Sequence, residues 1–129
     1  IKKIIFMKKK ILIIEDEVHL QDVFKEIFES EDYEYISAYD GETGIKIAEN
    51  ESPDFIILDL ILPKKDGFEV LQELKNNPKT SKIPMAVLSN LEGSHDIEKV
   101  FSLGVSNYFV KSRYTPQEIS EKIKKIMGK

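Results

Sequence analysis

Four short apolar runs in this sequence end in residues able to do chemistry. Ile11, Leu12, Ile13 and Ile14 lead into Glu15, Asp16 and Glu17; the run over 55–58 ends in Asp59, that over 85–88 in Ser89, and that over 105–110 in Lys111. Asp59 stands out, being the only polar residue between Phe55 and Leu62. A carboxylate in apolar surroundings is costly unless it is compensated or protonated. Alone it reads equally well as a loop cap, but Glu15 and Asp16 are expected on the neighbouring strand. Three crowded carboxylates repel one another unless they share a cation. Oxygen ligands without His or Cys suit a hard ion that keeps some of its water, Mg²⁺ with Mn²⁺ as a substitute. Lys111 aims an ammonium at this acidic edge, with a plain salt bridge as its alternative role. A carboxylate, an ion site, an ammonium and the Ser89 hydroxyl together make a receptacle for a phosphoryl group on Asp59, transferred by in-line attack.

These residues converge only if the runs lie side by side. Strands are predicted over 10–14, 33–38, 55–58, 85–88 and 105–110, alternating with segments of helical period. Leu20, Val23, Phe24, Ile27 and Phe28 mark one helix face, with Gln21, Asp22, Lys25 and Glu26 on the other. Further helices are predicted over 41–50, 66–76 (stopped by Pro78), 96–103 (ended by Gly104) and from Thr115, whose Thr-Pro-x-Glu start supplies a cap. Continuous apolar strands alternating with helices imply a parallel sheet between helical layers, an α/β doubly wound (βα)5 domain whose binding crevice lies at the carboxyl ends of the strands.

From Lys8 to Met127 the sequence resembles the receiver domain of two-component response regulators. Ile13 to Glu17 resembles that family's acidic motif; Leu58 and Asp59, followed by Leu62, Pro63, Asp66 and Gly67, resembles its phosphoacceptor motif and loop. Ser89 falls at the switch hydroxyl, Tyr108 at the switch aromatic, and Val110 with Lys111 at the phosphoryl-binding lysine. The resemblance implies a flavodoxin-like sheet in the order 2-1-3-4-5. It also implies phosphoryl transfer to Asp59 from a sensor histidine kinase or phosphotransfer protein. Asp16, Asp59 and the backbone carbonyl of Ile61 would hold Mg²⁺, with Glu15 acting through water. Ser89 would then move inward and Tyr108 follow, altering the face of the fourth helix, fifth strand and fifth helix. That face would meet a downstream protein or a second copy of the chain. Such a domain is a signalling phosphoacceptor, assisting only its own phosphorylation and dephosphorylation, and is not otherwise an enzyme.

Glu15 departs from the family's more frequent Asp but still reaches metal-bound water. Ser112 stands where a cis proline is usual; a cis bond before a non-proline residue is costly, so the Lys111–Ser112 isomer stays open, and a trans bond would give the loop before Thr115 a different shape. Asn90 replaces a smaller residue beside the site. Ile61 and Leu91 flank it with apolar side chains that cannot hold a hydrolytic water, which predicts slow self-dephosphorylation. His19 and His95 lack partner ligands and read as surface residues.

The chain has 129 residues, 41% hydrophobic and 33% charged, enough for one self-sufficient core. With no cysteine, disulfides and thiolate metal sites are excluded. A net charge of −4 gives no field for a phosphate backbone, so direct nucleic-acid binding is not expected. The apolar run after Lys8, Lys9 and Lys10 is too short for export or a membrane span, and a cytoplasmic protein is expected. Residues 1–7 read as a poorly ordered leader or expression remnant, and 8–129 as one domain with no second. A flavin module would need a neutral phosphate cradle where Glu15, Asp16 and Glu17 stand. An aspartyl-phosphate hydrolase would need a second Asp at the position of Ile61. A phosphate-independent interaction domain that keeps the fold remains the alternative.

Overall fold

The computed structural model describes residues 8–128; the expectation for 1–7 falls outside them. Five parallel strands, β1 (Lys10–Ile14), β2 (Glu34–Ala38), β3 (Phe55–Leu58), β4 (Met85–Ser89) and β5 (Tyr108–Val110), form one sheet in the order β2-β1-β3-β4-β5. The helices are α1 (Val18–Ser30), α2 (Gly41–Glu51), α3 (Gly67–Asn76), α4 (Ser94–Ser102) and α5 (Pro116–Ile126). This is the doubly wound architecture expected. β5 is shorter than its apolar run, beginning at Tyr108 rather than at 105, although Asn107 O still accepts from Val87 N at 2.8 Å. β4 runs through Ser89, one residue further than expected, and α4 starts at Ser94, two residues earlier.

The alternation of side chains along each strand sorts the core into two layers. Ile11, Ile13, Phe55, Ile57, Ala86, Leu88 and Phe109 pack with Phe24 and Phe28 of α1 and with Ile119 and Ile123 of α5. Leu12, Ile14, Ile56, Leu58, Met85 and Val87 pack on the opposite face with Val70, Leu71 and Leu74 of α3 and Val100 of α4. Glu15, Asp59 and Lys111 continue the parity of Ile13, Ile57 and Phe109, whereas Ser89 and Tyr108 share the parity of Val87. The strand ends thus offer acid and ammonium on one side of the sheet and Ser89 and Tyr108 on the other.

Side-chain caps set where α2, α3 and α5 start. Asp40 accepts from Thr43 N at 2.9 Å, Asp66 from Phe68 N at 2.9 Å, and Thr115 and Glu118 close a reciprocal capping box with Pro116 in the first turn. Gly104, φ +95°, ends the turn after α4 in the left-handed region.

The start of α3 bears directly on Asp59. Gly67 N donates to Leu60 O at 3.0 Å, and a Cβ at this position would lie 2.3 Å from Leu60 Cα and 2.6 Å from Asp59 O. Backbone rather than a yielding side chain fills that space, so helix and loop touch only because residue 67 has no side chain. Gly67→Ala is expected to lower stability by about 2 kcal/mol through forced backbone displacement. An unchanged urea midpoint would contradict this close packing.

Candidate functional site

The carboxyl ends of β1, β3 and β5 border an open cavity of about 380 Å³ lined by Glu15, Asp16, Glu17, Asp59, Ile61, Asn90 and Lys111. Glu15 and Asp59 are almost completely buried, whereas Asp16 is exposed. Lys111 Nζ lies 2.7 Å from Glu15 Oε1 and donates to Asp59 Oδ2 at 3.0 Å. The other Asp59 oxygen, Oδ1, accepts from Ile61 N at 3.2 Å. Glu15 Oε2 accepts from Glu17 N at 3.0 Å. Glu15 Oε1, although close to the ammonium, accepts no aligned hydrogen bond and is the one such orphan among the buried side-chain atoms of the described residues.

Burial dominates the electrostatics of Glu15. It pushes the carboxyl up from its ordinary 4.5 to about 7; Lys111 opposes this, and the charge of Asp59 adds to it. Burial also pulls the Lys111 ammonium down, but the close Glu15 carboxylate and the charge of Asp59 outweigh it and hold Lys111 above the ordinary lysine value. A single ammonium therefore serves two buried carboxyls. Carboxylate oxygens of Glu15, Asp16 and Asp59 lie within 4.8 Å of one another. With the orphaned Glu15 oxygen and an open cavity, this all-oxygen cluster fits a hard divalent cation.

The remaining expected residues divide. Ile61 is well exposed at the cavity rim, and Asn90 lines the cavity. Leu91 does not flank the cavity as expected, because its partly buried side chain packs against the α3 and α4 core layer. Ser89 is fully buried at the end of β4, and its Oγ accepts from Leu91 N at 3.3 Å. It does not line the cavity, consistent with its opposite strand parity. The half-buried Tyr108 donates its hydroxyl to Leu91 O at 2.7 Å.

The described peptide bonds are all trans, including Lys111–Ser112, whose isomer the sequence leaves open, and Lys111–Arg113 forms a 3-10 turn. This turn still delivers Lys111 to the acids. Ser112 N donates to Asn90 Oδ1 at 3.1 Å and Arg113 pairs with Glu92 at 2.8 Å, so residues 90, 91 and 92 are each tied to the β5 segment.

The polar pattern assigns Gln21 to the solvent face of α1, but it is buried beneath the first strand end. Its spacing from Phe24 and Phe28, i, i+3 and i+7, carries the signal of burial; its polarity obscures it.

A family model for the response regulator receiver domain matches residues 11–124. The chain is 35% identical over 120 residues to the probable transcriptional regulator ycf27 of Porphyridium aerugineum, covering 93% of this chain and 48% of that protein. It is also 35% identical over 123 residues to the alkaline phosphatase synthesis transcriptional regulatory protein PhoP of Bacillus subtilis, covering 94% and 49%. The chain spans about half the length of these curated relatives. Among solved structures, a CheY-like receiver domain protein from Methanospirillum hungatei superposes with TM-score 0.86 at 25% identity, covering 95% of each chain. The Mn²⁺-bound form of response regulator Rcp1 superposes with TM-score 0.74 at 34% identity, covering 93% of this chain and 90% of that one.

The raised Glu15 value sets a sign for pH dependence in protein stripped of divalent ions. The folded state binds this proton more tightly than the unfolded chain, so its contribution is complete below pH 4.5 and is lost as pH rises through about 7. From about pH 5 to about pH 8 in EDTA, wild type is expected to lose more urea resistance than Glu15→Gln. Parallel profiles would contradict the assignment.

Proposed function

The chain belongs to the response regulator receiver domain family, and from that membership we propose that Asp59 accepts a phosphoryl group in two-component signalling. One observation carries the reading: Asp59, buried at the end of β3, shares a single open cavity with Glu15, Asp16 and Lys111. The donor is a phosphohistidine on a sensor histidine kinase or phosphotransfer protein. An Asp59 oxygen attacks phosphorus in line, the O–P bond forms as the N–P bond breaks, and the released electron pair returns to the imidazole, which takes up a proton.

Asp16 and Asp59, the Ile61 carbonyl and, through water, Glu15 would hold Mg²⁺ or Mn²⁺, which when bound supplies positive charge to the phosphoryl oxygens. The Mn²⁺-bound Rcp1 relative supports that choice of ion. Lys111, already drawn to Asp59 Oδ2, supplies fixed positive charge from the protein itself. Ile61 N holds Oδ1 and orients the carboxylate.

Output follows from the switch residues. When Ser89 turns its hydroxyl to a phosphoryl oxygen, Leu91 N loses its acceptor, and Tyr108 carries the change through Leu91 O to the face of α4, β5 and α5. A downstream protein or a second copy of the chain reads that face. We assign no nucleic-acid contact to these residues, and the exchange belongs in the cytoplasm. No helix among the described residues is long and apolar enough to cross a membrane.

Incubation with Mg²⁺ and acetyl phosphate, followed by intact-mass measurement, tests the reading. One phosphoryl adduct is expected on wild type, prevented when EDTA is present from the start and absent from Asp59→Asn. Lys111→Ala is expected to slow adduct formation by roughly 10²-fold, as for loss of one fixed donor at a developing charge. Absence of an adduct at every donor concentration would overturn the reading in favour of a phosphate-independent interaction domain. Ile61→Asn is expected to shorten the lifetime of the adduct.

A further inference from the structure

Gln21 is 1% exposed, contributes nothing to the cavity wall, and is nevertheless the most heavily committed polar side chain near it. Its Nε2 lies 3.0 Å from each of three carbonyls, Ile13 O, Glu15 O and Ala38 O, so two N–H groups are shared among three acceptors. Its Oε1 accepts from the Tyr35 hydroxyl. The three carbonyl oxygens can only accept, which fixes the NH2 end of the amide toward them and leaves Oε1 for the Tyr35 hydroxyl.

The Glu15 carbonyl belongs to the peptide plane that joins Glu15 to Asp16. The preceding plane is held as well, because Glu15 N donates to Ala38 O at 2.9 Å. Both planes flanking Glu15 are therefore fixed, one by β2 of the sheet and the other by the Gln21 amide of α1. Two consecutive residues bring their carboxylates together with Asp59 only if the plane between them cannot rotate. The chain turns from β1 into α1 across just three residues, and the amide anchors the first of them, Glu15.

We propose that Gln21 is a positioning residue for the divalent-cation site, setting the Glu15–Asp16 peptide so that Asp16 directly, and Glu15 through water, meet the ion held with Asp59. This rests on the metal reading above. An apolar side chain of similar size would fill the space but leave the three carbonyls ungripped and the Tyr35 hydroxyl without its acceptor.

Mn²⁺ serves as the probe, with free ion measured by electron paramagnetic resonance and folding by urea titration. Wild type, Gln21→Leu, Tyr35→Phe and Asp59→Asn are compared with Thr80→Val. Thr80 is buried at the far end of the sheet, where its hydroxyl donates to Leu74 O, so its variant reports general destabilisation. Gln21→Leu is expected to raise the Mn²⁺ dissociation constant about tenfold, Tyr35→Phe about threefold, and Thr80→Val not at all. Loss of a group that orients a metal ligand weakens binding by roughly one to two powers of ten, which sets that scale. Wild-type affinity in folded Gln21→Leu would overturn the proposal while leaving the metal reading intact. If Gln21→Leu does not fold, Tyr35→Phe decides: weakened binding supports the proposal and unchanged binding overturns it. Failure of wild type itself to bind Mn²⁺, or undiminished binding by Asp59→Asn, would overturn the metal reading and this inference with it.

Discussion

Two nearly buried carboxyls, Glu15 and Asp59, face one ammonium, and the rest of the site is arranged around that imbalance. Removing two acids from water is unfavourable, and Lys111 serves both because β1, β3 and β5 end on the same edge of the sheet. The proton affinity of Glu15 and its oxygen without an aligned donor record what one ammonium leaves uncompensated. The same imbalance leaves room for a further positive charge. Structural cost and chemical capacity therefore share one origin, two acids held at the end of an apolar sheet.

Much of this is legible in the sequence because the sheet is parallel and buried on both faces. Runs such as Ile11 to Ile14 and Phe55 to Leu58 declare themselves, and their last residues necessarily share an edge. Asp59 is conspicuous for being polar among apolar neighbours, and Thr115 with Glu118 announces a helix start that the structure contains. The run over 105–110 does not reveal that pairing begins only at Tyr108, since apolar character reports burial rather than hydrogen-bond register.

The less legible features are side-chain commitments. Leu91 sits one position beyond Asn90 in the sequence, yet one residue of strand-end geometry turns it into the core while Asn90 stays at the cavity. Gln21 looks like part of a polar face when residue type is weighed above helical phase. Its burial follows from three carbonyls and a tyrosine that converge from β1 and β2, partners no local pattern can reveal. Lys111 reaches the acids without a proline after it, because the 3-10 turn and Asn90 hold that corner instead.

The ties from residues 90, 91 and 92 to Ser112, Tyr108 and Arg113 give this corner redundancy. Three adjacent fastenings between the same two segments share any load, so losing one leaves the pair aligned by the other two. The segments behave as a single stitched seam rather than two independent loops. Sequence drift at any one stitch is therefore buffered, whereas simultaneous loss of all three would let the segments part and uncouple β5 from the loop after β4.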